Sequence, residues 1–293
     1  MKQKVNLFLV GAMKAGTTSL VEVLGAHADI YMPPIKEPHY FVDGLPKNIY
    51  EPSKFFSEAD YFKNNFPDPL HIAQLKNEMQ YQKLYSLSGN EEYLLDASTA
   101  YLHAPEAVER IYEYNPNAKI LIVVRDPLQR AFSHFKMDLA LGRVTGSFEN
   151  AIQNELLAYR NDTLTWNSYM GMSFYNKQIS RFEKRFEQVL VIRLSDLINE
   201  RPTTLERLAQ FLSIKSFSVT KTAHKNQSKE LRFQKVFYVL KRLGLKDYFS
   251  KIFSPSQRQK IFSVVSKKAR QHTDLCEETR TAVEEIFNIE SNL

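Results

Sequence analysis

Val5-Asn6-Leu7-Phe8-Leu9-Val10 runs directly into Gly11-Ala12-Met13-Lys14-Ala15-Gly16-Thr17-Thr18-Ser19, and this stretch decides how the remaining sequence is read. The first part has the length and composition of a buried strand. Beyond the loop, apolar positions recur at helical spacing over Thr18–Ala26. Strand, glycine loop and helix together form a cradle for a phosphate-like anion. Glycine lets the backbone approach the anion, the first helical N–H groups point at it, and the helix dipole adds about 0.3–2 kcal/mol per anionic charge. Thr17, Thr18 and Ser19 add hydroxyl donors. The bland alternative is a Gly/Thr turn that merely caps a helix.

Working outward, strand-length apolar runs recur at Val5–Val10, Tyr93–Leu95, Ile120–Val124 and Val189–Ile192. Helical spacing follows at Pro105–Tyr114, Pro127–Leu141, Phe148–Tyr159, Phe174–Phe186 and Pro202–Leu212. Short buried strands alternating with helices predict an α/β fold, a P-loop-type parallel sheet flanked by helices. Lys215 to Gln234 reads as polar, basic loop, and helices are expected at Leu231–Leu243, Ser256–Gln271 and Glu277–Phe287. With no repeat or low-complexity linker, residues 1–293 read as a single domain whose part from 221 to 293 is basic and mostly helical.

The 293 residues carry a net charge of +6. Residues 221–270 hold 14 Lys/Arg against Glu230 and Asp247, a local +12, so the rest of the chain sums to −6. A lone cysteine, Cys276, excludes an intramolecular disulfide framework. Lys2 and Lys4 before an apolar run have the outline of a secretory signal. Asn6 and Lys14, however, limit that run to strand length, and no run reaches the roughly 18 apolar residues of a membrane span. The expectation is a soluble, cytoplasmic protein.

Against the nucleotide-triphosphatase pattern, Gly11 and Gly16 are correctly spaced, but Thr17 occupies the lysine position and the lysine has moved to Lys14. No magnesium-holding aspartate follows Ile120–Val124; Arg125 does. That disfavours metal-assisted phosphoryl transfer, and no metal site is expected. Lys14-Ala15-Gly16-Thr17-Thr18-Ser19 resembles the 5′-phosphosulfate loop of sulfotransferases, which use 3′-phosphoadenosine 5′-phosphosulfate (PAPS). Arg125-Asp126-Pro127 with Ser133 on the following helix resembles their 3′-phosphate motif, and the resemblance implies that Arg125 and Ser133 bind that phosphate. Asp126 fits an N-cap and Pro127 the first helical turn. Taken alone, Arg125 could equally form a surface ion pair with Asp126.

Lys36-Glu37-Pro38-His39-Tyr40-Phe41, expected as a constrained loop beyond a short strand at Asp29–Met32, resembles the Lys-Glu segment of heparan-sulfate-like and bacterial carbohydrate sulfotransferases. The resemblance makes Glu37 the base, with a pKa expected to be raised by burial or substrate anions. His39 is the rival base; the bland readings are a Lys36–Glu37 ion pair and a histidine packed on Tyr40. Asp96-Ala97-Ser98-Thr99-Ala100-Tyr101 resembles the family's acceptor-side strand end but departs from it. Thr99 replaces a proline, and Ala97 stands where glycosaminoglycan enzymes often place lysine, which weakens the case for a highly sulfated acceptor. The resemblance also puts Tyr169, Gly171 and Tyr175 near the nucleotide, and Lys225, Lys229 and Arg232 in a basic loop over the donor. Trp166 reads as a packed aromatic.

The implied reaction is sulfuryl transfer from PAPS to an acceptor hydroxyl or amine on a carbohydrate or glycolipid. Lys14 would stabilise charge on the leaving nucleotide. Small phenols, lipids and peptides remain alternative acceptors. A P-loop kinase or nucleotide hydrolase is a rival class, and a nucleic-acid module using residues 221–270 is another that the reading sets aside. Those residues could also meet a membrane surface.

Overall fold

The computed structural model describes residues 4–217 and 275–292, together with two short strands at 229–231 and 266–268. At its centre lies a five-stranded parallel sheet in the order β2-β5-β1-β6-β7, where β1 is Leu7–Gly11, β2 Ile30–Tyr31, β5 Tyr93–Asp96, β6 Lys119–Val124 and β7 Val189–Arg193. Every residue of β1 and β5 is buried. This explains why those strands read as unbroken apolar runs rather than alternating ones. The registers pair Leu7 with Leu95, Phe8 with Ile120 and Val124 with Arg193, so the strands end on one common edge. Open parallel sheets bind ligands at that edge.

Helices α1 (Thr17–Leu24), α4 (Ala107–Tyr114), α5 (Pro127–Ala140) and α7 (Asn176–Arg185) lie between the strands and α9 (Arg201–Leu212) follows the last of them, close to the expected bounds. A second hydrophobic cluster joins α5 to α6 (Phe148–Arg160) and α10 (Glu277–Asn292) through Phe135, Phe148, Ile152, Val283 and Phe287.

Three expectations are corrected. Ile35–Glu37 is not loop but a strand, β3, paired in parallel with β4 (Leu70–Ile72) apart from the main sheet. Its partner lies some 35 residues away, so local periodicity could not reveal it. Ser266–Lys268, inside the expected helix Ser256–Gln271, forms a strand, β9, antiparallel to β8 (Lys229–Leu231). β8 itself breaks the expected loop and occupies the first residue of the expected helix Leu231–Leu243. The two strands lie 35 to 39 residues apart in sequence (Leu231 with Ser266, Lys229 with Lys268), so local spacing could not reveal their pairing. Backbone β8 lies against α5. The remainder of those two expected helices, with Lys225 and Arg232, falls outside the described residues.

Candidate active site

The loop after β1 is held open by two close approaches. A Cβ on Gly11 would sit 2.7 Å from the Leu102 side chain and 3.1 Å from the Thr99 carbonyl, because the chain leaving β5 crosses directly over the end of β1. Leu102 N–H donates to the Val10 carbonyl at 2.8 Å, fixing that crossing. Gly16, at φ +93°, is the left-handed N-cap of α1, and a Cβ there would meet Leu194 at 2.5 Å. No side chain caps α1, so its first N–H groups face the loop. Lys14 also takes a left-handed φ, +70°, a conformation that non-glycine residues adopt at a cost.

Arg125 follows β6 and donates to the Lys14 carbonyl at 3.4 Å, not to Asp126. Asp126 instead caps α5, accepting from Gln129 N–H at 2.8 Å, with Pro127 opening the helix. Ser133 lies buried on the same helix. Between them sits Arg130, which sequence reasoning passed over although it stands five residues after Arg125. Its side chain is completely buried. It donates to Ser173 Oγ at 2.7 Å, the Tyr169 carbonyl at 2.6 Å and the Met13 carbonyl at 3.4 Å, tying the first loop to the turn at Gly171–Ser173.

Lys14, Arg125 and Arg130 have no carboxylate within 4 Å among the described residues. Burial, then the repulsion of Arg125 and Arg130, lowers the Lys14 pKa. Burial likewise lowers that of Arg125, and takes Arg130 down to about 10. Tyr175 Oη is buried without a hydrogen-bond partner. Its pKa is pushed up to about 12 by burial, against the pull of Arg130. Cations gathered at a sheet edge with neutral partners make a positive surface suited to an anion. Trp166 is partly exposed.

Glu37 occupies the last position of β3 and is 6% exposed. Lys36 Nζ lies 2.5 Å from Oε1, and Thr99 Oγ1 donates to Oε2 at 2.8 Å. Thr99, the residue that replaces the family's proline, thus supplies a hydroxyl to the candidate base. Burial would raise the Glu37 pKa, but the Lys36 and His39 charges, the Lys36 hydrogen bond and His71 outweigh it and hold it below the ordinary value. The expected raised pKa is therefore corrected: three basic side chains surround one carboxylate.

His39 is fully buried behind Glu37, with Nδ1 3.1 Å from the Glu37 carbonyl and 3.3 Å from that of Ala73. Those two acceptors hold a proton on Nδ1, and Nε2 faces Glu37 Oε2 at 3.7 Å. Burial lowers the His39 pKa, against the attraction of Glu37. The ring packs edge-on against Tyr101 rather than Tyr40. Ser98 Oγ accepts from His39 N–H at 2.9 Å and donates to Asp96 Oδ1 at 2.6 Å. Asp96 also accepts from Tyr81 at 2.9 Å and Tyr101 at 3.0 Å. Asp96 and Ser98 accordingly brace the turn that carries His39. Burial raises the Asp96 pKa to about 6 even with those donors in place.

The family model described as the sulfotransferase family matches residues 6–218. Among curated proteins, the chain is similar to mouse heparan sulfate glucosamine 3-O-sulfotransferase 3B1, at 25% identity over 78% of this chain and 51% of that protein. It spans about half the length of the curated relatives it matches. Among solved structures, a sulfotransferase from Alicyclobacillus acidocaldarius superposes with a TM-score of 0.60 at 25% identity, covering 98% of this chain and 96% of that one. Mouse sulfotransferase SULT7A1, solved with PAP, shares the fold with a TM-score of 0.50 at 14% identity, over 98% of this chain and 84% of its own. The match runs from the first strand past the last helix before residue 218 and takes in the glycine loop, the Arg125 helix and the Glu37 strand, and on it the chain belongs to the sulfotransferase family.

Proposed function

We propose that this chain transfers a sulfuryl group from PAPS to a hydroxyl of a carbohydrate acceptor. The observation that carries the reading is the group of cations without carboxylate partners, Lys14, Arg125 and Arg130, at the edge where β1 and β6 end. In this reading the N–H groups and side chains of Ala15, Gly16, Thr17, Thr18 and Ser19 hold the 5′ end of the donor, while Arg125 and Ser133 grip its 3′-phosphate. Tyr175 completes the nucleotide pocket. β8 lies beside the helix that carries Ser133. That placement supports Lys229 as a further phosphate contact, alongside Lys225 and Arg232.

Glu37 takes the proton of the attacking hydroxyl as the new S–O bond forms. The bond from sulfur to the bridging oxygen breaks, and Lys14 stabilises the charge left on that oxygen. Fixed charges and dipoles supply the catalysis, so the reaction proceeds without a metal. His39 is the alternative base. Its complete burial behind Glu37 supports Glu37 instead. The carbohydrate preference draws on the relatives named for glycan sulfation and on the Lys36–Phe41 segment. The lone cysteine accords with a reducing, cytoplasmic setting, and no described helix is long and apolar enough to cross a membrane.

Calorimetric titration with PAP tests the reading. The wild type should bind in the micromolar range or tighter, and Arg125→Ala should lose at least tenfold in affinity, as expected for a lost charge-assisted fork. Unchanged affinity in Arg125→Ala, or magnesium-dependent ATP turnover in place of PAP binding, would overturn it.

A further inference from the structure

His71 sits on β4 with its side chain 66% exposed and Nε2 3.8 Å from Glu37 Oε1. We infer that this imidazole receives the acceptor hydroxyl and holds it against Glu37, which makes His71 a substrate contact on the acceptor side. The inference rests on the reading of Glu37 as the base.

The argument starts from which sides of Glu37 are closed. Lys36 takes Oε1 from within the strand, Thr99 takes Oε2, and His39 lies behind; their side chains are all nearly or fully buried. Of the four groups that face the carboxylate, His71 alone is open to solvent. The parallel register sets Ile35 opposite Leu70 and Glu37 opposite Ile72, which fixes His71 beside the Lys36–Glu37 pair. A separation of 3.8 Å is too long for a direct hydrogen bond, yet a hydroxyl oxygen beside the gap can lie at about 2.8 Å from both groups. That oxygen would accept a hydrogen bond from the imidazole Nε2–H while giving its proton to the carboxylate.

The electrostatics of the ring fit this placement. Desolvation lowers the His71 pKa, Glu37 pulls it up, and Lys36 and Lys14 lower it further, which favours the neutral ring with one N–H to donate.

The test compares wild type, His71→Ala and His71→Gln in three measurements. These are labelled sulfuryl transfer from PAPS to a heparosan hexasaccharide, PAP release with water as the sole acceptor, and PAP affinity. His71→Ala should raise the hexasaccharide KM about tenfold or more and slow the water reaction about tenfold. PAP affinity and the melting temperature should be unchanged, since the exposed ring supports no core. His71→Gln, which keeps a donor and an acceptor, should recover part of the loss. Wild-type rates in His71→Ala, or a parallel loss of PAP affinity, would overturn the inference. If the hexasaccharide is not an acceptor, the water reaction decides alone. Failure of the underlying reading would look different: Glu37→Gln would stay active, or the wild type would not bind PAP.

Discussion

Glu37 is a buried carboxylate kept charged by its neighbours, which determines how it can act. Its ionised form is favoured at every pH above the ordinary glutamate value, so under the proposed reading the base is ready at neutrality without a proton having to leave first. The sign follows from the depressed pKa. The contribution of this ion cluster to stability is present above about pH 4.5 and is lost as the pH falls through the folded-state value. The acid limb of the kcat/KM profile should therefore lie below about pH 4.5, and a limb near 6 to 7 would assign the base to another group. Glu37→Gln should lower kcat by roughly 10²–10⁴, the range for removal of a general base, with PAP affinity retained. Full activity would transfer the role to His39. Glu37 could be picked out from sequence because Lys-Glu lies in a recognisable segment. Its partners Thr99 and His71 could not, since they come from the end of β5 and from β4, 62 and 34 residues away in sequence.

Among the elements, the two strand–loop–helix units do the positioning, and both were readable because their signals are local. An apolar run, a glycine or arginine at its end, and a helix start with Asp126-Pro127 all fall within a few residues of one another. Gly16 shows how tightly the first unit is set. Its left-handed φ costs a non-glycine residue about 1–2 kcal/mol, and the added Cβ would run into Leu194 at the start of α8 (Leu194–Asn199). Gly16→Ala should thus lower unfolding stability by at least about 1–2 kcal/mol in urea titration and weaken PAP binding more than tenfold. Retained binding would show that α1 does not aim its N–H groups at the ligand. Arg130 illustrates the opposite case. Its place at a helical spacing among apolar residues gave no sign that it binds three separate backbone or side-chain oxygens; only the meeting of α5 with two distant turns reveals that. The β3–β4 pair escaped for the same reason, as did β8–β9, where long-range pairing overrode the local helical spacing.

For the whole molecule, charge is the organising quantity. The −6 body carries a cationic edge, Lys14, Arg125 and Arg130, with no carboxylate within 4 Å among the described residues, and the +12 segment lies outside it in sequence. Under the proposed reading, an anionic nucleotide bound there stabilises the fold. At 100 times its Kd, PAP should add about 2.7 kcal/mol, a rise in melting temperature of roughly 4–5 °C for a chain of this size. AMP, which lacks the 3′-phosphate, should raise it less, and equal shifts would argue against a role for Arg125 and Ser133. The basic segment has its own test. Neutralising Lys241, Arg242, Lys267 and Lys268 together should weaken binding of an anionic acceptor or of vesicles containing anionic lipid; no change in either would reduce that excess to a solvated face.

The separation of β3 and β4 from the main sheet has an evolutionary consequence. Under the proposed reading, the five-stranded sheet carries the grip on the donor, while a small accessory ribbon carries the groups that meet the acceptor. Thr99, hydrogen-bonded to Glu37 from the end of β5, is the seam between them. Such a division lets descendants rewrite residues 33–75 to suit a new sugar without renegotiating the nucleotide pocket. One donor can then serve many acceptors, and a grafted ribbon should carry its preference with it.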